Sequence, residues 1–380
     1  MGWRPSPGRT DRGVRARRRW RAALAALLVA AGVARAHDSG PVPLGRLYTS
    51  DVGVLFTVAV EVGGERGRWV VDTGASRHLV TPAFARRLGL RELGRSGADT
   101  AFGTLHGPEV ALPPLWLGQR RVDGQRALVV DVPALAGPAT AGIDGVLGAP
   151  ALLDGALDLD LAASVLRMRG DAPAGCDAPR AALPLELRRG LPVVALRIER
   201  RIAFALIDTG YAGALAQIDG ERPAERAGDV ALGPLVRREV PVMALRAPAL
   251  RAALAGDARQ GDVTALAGAA LLDGAALRLS PRDGVLCVAP DERTLSGGFG
   301  FGLGADANGL FVDAVSDGSA AALAGLREGD RVRQWNGAAP TTVADAWAAV
   351  HGLDTMTLVV DRHGAAIARV LRRAHPAPPP

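Results

Sequence analysis

The alternation of apolar and polar positions divides the chain into short strands punctuated by glycine and proline, with few helical stretches. Val54 to Val62 predicts a strand, Gly63-Gly64 a turn, and Trp69-Val70-Val71 a second strand that runs straight into Asp72. After Leu79-Val80, Pro82 opens a short helix to Leu88 that Gly89 stops. From Thr100 to Gly107 the residues read Thr-Ala-Phe-Gly-Thr-Leu-His-Gly. Gly103 and Gly107 there bracket an expected hairpin tip, a flap in which Phe102 would help exclude water. Strands follow at Leu115 to Leu117 and Arg126 to Val130. Gly142 to Gly148 then enters a helix at Ala149 to Leu153, and strands at Leu157 to Leu159 and Val165 to Met168 close the unit.

A Gly/Ala/Pro-rich junction from Gly170 to Pro184 ends this pattern, and the order of elements then restarts. Leu191 to Ile198 and Ile202 to Ile207 form a second strand pair, which runs into Asp208. Leu-Leu-Asp-Gly-Ala occurs at 152–156 and again at 271–275, so the chain contains an internal repeat. Asp72 and Asp208, 136 residues apart, each end an aliphatic strand and are each followed by Thr-Gly. The second copy is shorter, and no counterpart of the Thr100 to Gly107 hairpin is evident between Gly228 and Val242.

Length and apolar content, 380 residues at 48%, are enough for three domains. The first 36 residues read as a cleaved signal peptide, with Arg17-Arg18-Arg19, an apolar run from Ala22 to Ala34, and a small-residue cleavage site at Ala34-Arg35-Ala36. The 13-residue run is short of the roughly 20 that span a bilayer. The expected location is periplasmic or secreted, with no transmembrane segment in the mature chain. The leader holds nine arginines and one acid, so the remainder carries 36 bases against 38 acids, and the basic balance that would suggest a nucleic-acid partner disappears. Cys176 and Cys287 either form one disulfide or remain thiols. His78 and His106 are isolated, and no metal or cofactor motif is present.

The residues Val70-Val71-Asp72-Thr73-Gly74-Ala75, the later Val146-Leu147-Gly148, and the helix after it resemble a retropepsin-type aspartic peptidase lobe. Two such lobes in one chain, over about residues 46–170 and 184–290, are similar to exported bacterial members of that clan. The resemblance implies a two-lobed acid-protease β-barrel fold, with Asp72 and Asp208 as a catalytic dyad that hydrolyses a peptide bond through an activated water. Two carboxylates in hydrogen-bond reach cannot both ionise cheaply, so one serves as base while the other serves as acid. Thr73 and Thr209 would lock the two loops together, and Gly74 and Gly210 would let the backbone approach the carboxylates. Ala75, Tyr211, Phe102 and Gly103 would line the substrate groove. The family favours a small residue where Tyr211 stands. A non-catalytic peptide-binding or scaffold protein with a degenerate second lobe is therefore the alternative, as is pairing of two chains through their first lobes.

After Pro290 the composition changes. Gly297-Gly298-Phe299-Gly300-Phe301-Gly302-Leu303, Gly309 to Val315, the helix Ala320 to Ala324, Gly325 to Asp330 and Trp335-Asn336-Gly337 resemble a bacterial α+β PDZ domain over 297–373. Phe299, Gly300, Phe301 and Gly302 would supply backbone N–H groups and apolar walls for a polypeptide C-terminus, facing a helix at Val343 to Val350. A purely structural PDZ domain is the other possibility. The proline-rich tail 374–380 reads as disordered. The combined expectation is a mostly β, monomeric aspartic endopeptidase followed by a PDZ domain, with a polypeptide as substrate.

Overall fold

A computed structural model describes residues 38–100, 103–170, 175–219, 226–256, 261–295 and 298–373. Residues 1–37, which include the expected signal peptide, Phe102 and residues 374–380 lie outside the described residues. The protein is mostly β. In the first lobe, Val54–Val62 pairs with Glu65–Asp72 as an antiparallel hairpin. Along the first of these strands Val58, Val60 and Val62 are buried while Ala59 is exposed, the period-2 pattern that puts one face on a core. Each such burial contributes about 1.5–3 kcal/mol. Gly145–Gly148 lies parallel to Glu65–Asp72, in a register that sets Gly148 opposite Asp72.

The flap hairpin is longer than its sequence suggests. Glu92–Thr100 pairs with Gly103–Ala111 out to Thr100 opposite Gly103, so Gly107 lies inside a strand. Gly107 is there for close approach: a Cβ on it would lie 2.7 Å from the Val129 carbonyl oxygen. Two helices are each one residue shorter than expected, Pro82–Arg87 and Ala149–Leu152. Thr81 caps the first by accepting from the Phe84 N–H.

The second lobe repeats the first. Leu191–Ile198 pairs with Arg201–Asp208, and Val263–Gly268 lies parallel to the latter with Gly268 opposite Asp208. The hairpin Arg226–Leu232/Leu235–Leu245 joins the end of Leu191–Ile198 at Arg197 and Ile198. In the first lobe, Leu115–Leu117 joins the corresponding residues, Glu61 and Val62. This hairpin therefore corresponds to the one at 115–122, and among the described residues the second lobe has no flap.

A six-stranded sheet joins the lobes. Ala156–Asp160 pairs antiparallel with Ala276–Ser280, and each is followed outward by strands of its own lobe. Arg278 reaches across this seam to Asp158 at 2.6 Å, with both side chains buried. A disulfide links Cys176 to Cys287, which resolves the choice that the sequence left open. Residues 298–373 form a five-stranded antiparallel sheet with Phe301–Asp306 at one edge and the helix Val343–Ala348 against it. Among the described residues, no helix is long and apolar enough to cross a membrane.

Candidate active site

Two equivalent strands deliver Asp72 and Asp208 to one point, where each loop is shaped around the other. A Cβ on Gly74 would lie 2.4 Å from the Asp208 carboxyl carbon, and one on Gly210 would lie 2.2 Å from that of Asp72. Each carboxyl thus lies over the glycine of the opposite loop, in space that any side chain would fill. Asp72 also accepts from its own loop at the Gly74 N–H (2.9 Å), and Asp208 accepts from the Gly210 and Tyr211 N–H groups (3.0 Å each). Asp208 is buried, whereas Asp72 keeps partial access to the cleft.

Beneath the acids the two threonines exchange hydrogen bonds reciprocally. The Thr73 hydroxyl donates to the Ile207 carbonyl (2.6 Å) and accepts from the Thr209 N–H (3.2 Å). The Thr209 hydroxyl donates to the Val71 carbonyl (2.7 Å) and accepts from the Thr73 N–H (3.0 Å). Both threonines are fully buried, so every partner depends on these bonds.

Burial, the negative charge of Asp208 and their mutual hydrogen bond push the Asp72 carboxyl well above the usual carboxylate range, against the opposing pull of the Gly74 N–H. Burial also raises Asp208, but the Tyr211 and Gly210 N–H groups and the hydrogen bond from Asp72 restrain it. Two acids this close titrate as a unit and share one proton.

Tyr211 is largely packed into the second lobe beside Asp208. It is 7% exposed, with its hydroxyl 3.5 Å from the Leu215 carbonyl, and it fills space left by two glycines. A Cβ on Gly213 would meet the Tyr211 phenol oxygen, and one on Gly268 its ring, both at 2.4 Å. By the repeat offset of 136, Tyr211 and Gly213 stand where the first lobe has Ala75 and Arg77. The bulk has moved from one position to the other, and the Asp208 loop keeps its form. Tyr211 lines the cleft, a cavity of about 130 Å³ that also touches Ala75, Ala98, Thr100 and Leu105. The last three belong to the flap strands, which pack across onto the second lobe's helix Pro248–Ala253. Gly103 begins the second flap strand.

His78, which the sequence offered only as an isolated histidine, turns out to position the site. Its Nδ1 accepts from the Gly148 N–H (3.0 Å) and its Nε2 bonds Gln125 (2.9 Å), while burial lowers its pKa and keeps the ring neutral. In the second lobe the same task falls to a backbone oxygen: Gly268 N–H donates to the Ala214 carbonyl at 2.9 Å, 136 residues on. The repeat offset is the signal that could have paired positions 78 and 214.

In the C-terminal domain, Phe299 and Phe301 are buried in an apolar cluster with Trp335 and Trp347. The Phe299 N–H donates to Asp51 of the first lobe. Gly300 has φ +81 and packs on Ser319, and Gly302 lies in the edge strand opposite Ala314.

Two barrel lobes that place one acid each over a shared threonine lock define the class: an aspartyl protease fold, here joined to a PDZ domain. Residues 58–151 match the Aspartyl protease family, and residues 290–376 match the PDZ domain family. No curated protein matches the chain.

Proposed function

We propose that the protein is an exported aspartic endopeptidase working through an intramolecular Asp72/Asp208 dyad. The observation that carries this reading is the reciprocal seating of each carboxyl on the other loop's glycine, above the threonine lock. One protein chain supplies both halves of the site, so pairing of two chains is not needed. Asp208, restrained by two N–H groups, serves as the ionised base that takes a proton from a bound water. Asp72 holds the shared proton and polarises the scissile carbonyl, and the proton then passes to the leaving amine. The flap strands close over the cleft and exclude bulk water, which strengthens these charge interactions. The Cys176–Cys287 disulfide and the leader-like 1–36 segment support an oxidising, extracytoplasmic location. The PDZ domain binds polypeptide at the Phe299 to Gly302 loop.

The test is cleavage of an unfolded protein across acidic to neutral pH by the parent, Asp72→Asn and Asp208→Asn. Both variants are expected to lose at least 10³-fold in kcat, roughly the scale of losing one member of a catalytic pair. Normal cleavage by Asp208→Asn would exclude the intramolecular dyad, and a parent that cleaves nothing would leave a non-catalytic binding protein.

A further inference from the structure

A carboxylate already lies against the loop Gly298 to Gly302. Asp51, on the turn between strands Gly45–Tyr48 and Val54–Val62, is 5% exposed. Its Oδ2 accepts from the Phe299 N–H at 2.5 Å, and Gly298 approaches so closely that a Cβ there would lie 3.2 Å from Oδ1. Arg373 closes the arrangement: its guanidinium is 3.5 Å from Asp51, lies over the Phe299 ring at 4.5 Å, and bonds the Leu353 and Val350 carbonyls. Ser50 holds the turn by accepting from the Val52 N–H.

The same lobe also packs apolar side chains against the PDZ domain. Ala139 lies within the cluster of Phe299, Phe301 and Trp347, and Tyr48 packs against it with its ring 4.3 Å from that of His351. The first lobe thus presents a carboxylate and apolar side chains to the PDZ domain, the two features by which an extended peptide would be held. On its other side the segment reaches the dyad region. Val54 N–H donates to the Ala212 carbonyl at 3.1 Å, and residues 49–55 line a cavity of about 680 Å³ that runs from Gly210 to His351 and Arg373.

We propose that Asp51 is a built-in ligand of the PDZ carboxylate loop, so that a polypeptide C-terminus binds by displacing it and frees the 49–53 turn. This rests on the peptide-binding reading of the PDZ domain but not on catalysis. An internal carboxylate that occupies the loop about nine-tenths of the time lowers apparent affinity roughly tenfold.

The experiment uses the full chain and a fluorescein-labelled decapeptide ending in a free-carboxylate valine, with its C-terminal amide as control. Anisotropy is expected to show Asp51→Ala binding the acid peptide at least tenfold more tightly than the parent, Asp51→Asn at an intermediate level, and the amide binding weakly to all three. Hydrogen exchange at amides 49–53 of the parent should rise when the acid peptide saturates it. Asp51→Asn preserves the side-chain shape, so it remains informative if Asp51→Ala does not fold. Equal acid-peptide binding by parent and variants would overturn the internal-ligand inference while leaving peptide binding intact. Failure of every folded variant to prefer acid over amide would overturn both.

Discussion

Replacing Thr209 with valine keeps the side-chain outline and removes the oxygen on which two loops depend. The Thr73 N–H loses its acceptor and the Val71 carbonyl its donor, at distances of 3.0 and 2.7 Å in a site where Thr73 is fully buried. An unsatisfied buried backbone group costs about 1–3 kcal/mol, and the added methyl regains roughly 0.8 kcal/mol. The expected net loss is about 2–4 kcal/mol in denaturant unfolding, whereas Thr209→Ser should lose only about 1 kcal/mol because its hydroxyl remains. The dyad should also respond, since the lock holds the carboxyls over each other's glycines. Once they separate, their mutual repulsion weakens, and the two limbs of the cleavage pH profile should move closer together. Thr73→Val should combine non-additively with Thr209→Val, because both belong to one network. If Thr209→Val is as stable as Thr209→Ser and keeps its pH limbs, the threonines are not what fixes the carboxyl geometry.

Burial holds both dyad carboxyls above their ordinary value near 3.8, so the folded state retains a proton that the unfolded state releases. Stability should therefore fall as pH rises from about 4 toward the raised folded value, by about 1.4 kcal/mol per pH unit for each retained proton. Thermal melts of Asp72→Asn should show a flatter slope there, and an unchanged slope contradicts the assignment. His78 has the opposite sign: it stays neutral when folded, so it contributes a loss of stability as pH falls below its ordinary 6.5 toward its lowered folded value. His78→Leu should remove that contribution and, by orphaning the Gly148 N–H, cost about 1–3 kcal/mol at pH 8; a variant as stable as the parent there rules out the positioning role. Reducing Cys176–Cys287, which closes a separation of 111 residues, should cost about 4 kcal/mol and lower the melting temperature by several degrees. Equal melting with and without reductant would show that the bridge adds nothing to the folded state.

Much of this was legible in the chain because its two halves carry the same signals. Aliphatic strands ending in Asp-Thr-Gly, and the repeated Leu-Leu-Asp-Gly-Ala, are local patterns, and the elements they announce occur at Glu65–Asp72, Arg201–Asp208, Ala149–Leu152 and Ala269–Leu272. What stayed hidden was non-local. The flap's full length depends on pairing across a turn, so Gly107 read as a turn residue when its smallness serves a neighbouring strand. The hairpin Arg226–Leu232/Leu235–Leu245 carried a readable cue: Leu232-Gly233 and Leu117-Gly118 occupy equivalent tips, and both glycines have φ +57. The contact of Asp51 with Phe299 spans 248 residues, and no sequence period announces it.

Tyr211 changes meaning most once its neighbours are known. A large residue beside Asp208 suggests a lobe drifting from function, but that inference treats one position alone. Position 213 is glycine where the first lobe has Arg77, and the phenol oxygen occupies the space a side chain there would need. Paired changes of opposite size conserve volume, and volume-conserving exchanges are the kind a packed site tolerates. The features that matter to the acid are retained: Asp208 accepts from both Gly210 and Tyr211, and the Tyr211 carbonyl accepts from Ala269 at 2.8 Å as Ala75 accepts from Ala149 at 2.9 Å. Among the described residues the second lobe has no flap, yet its carboxylate is held by two loop N–H groups, Gly210 and Tyr211, as Asp72 is by those of Gly74 and Ala75. What differs is exposure: Asp208 is buried and Asp72 opens on the cleft, and unequal surroundings separate the two acids' affinities for a proton, which is what a dyad needs if one member is to give a proton while the other takes one.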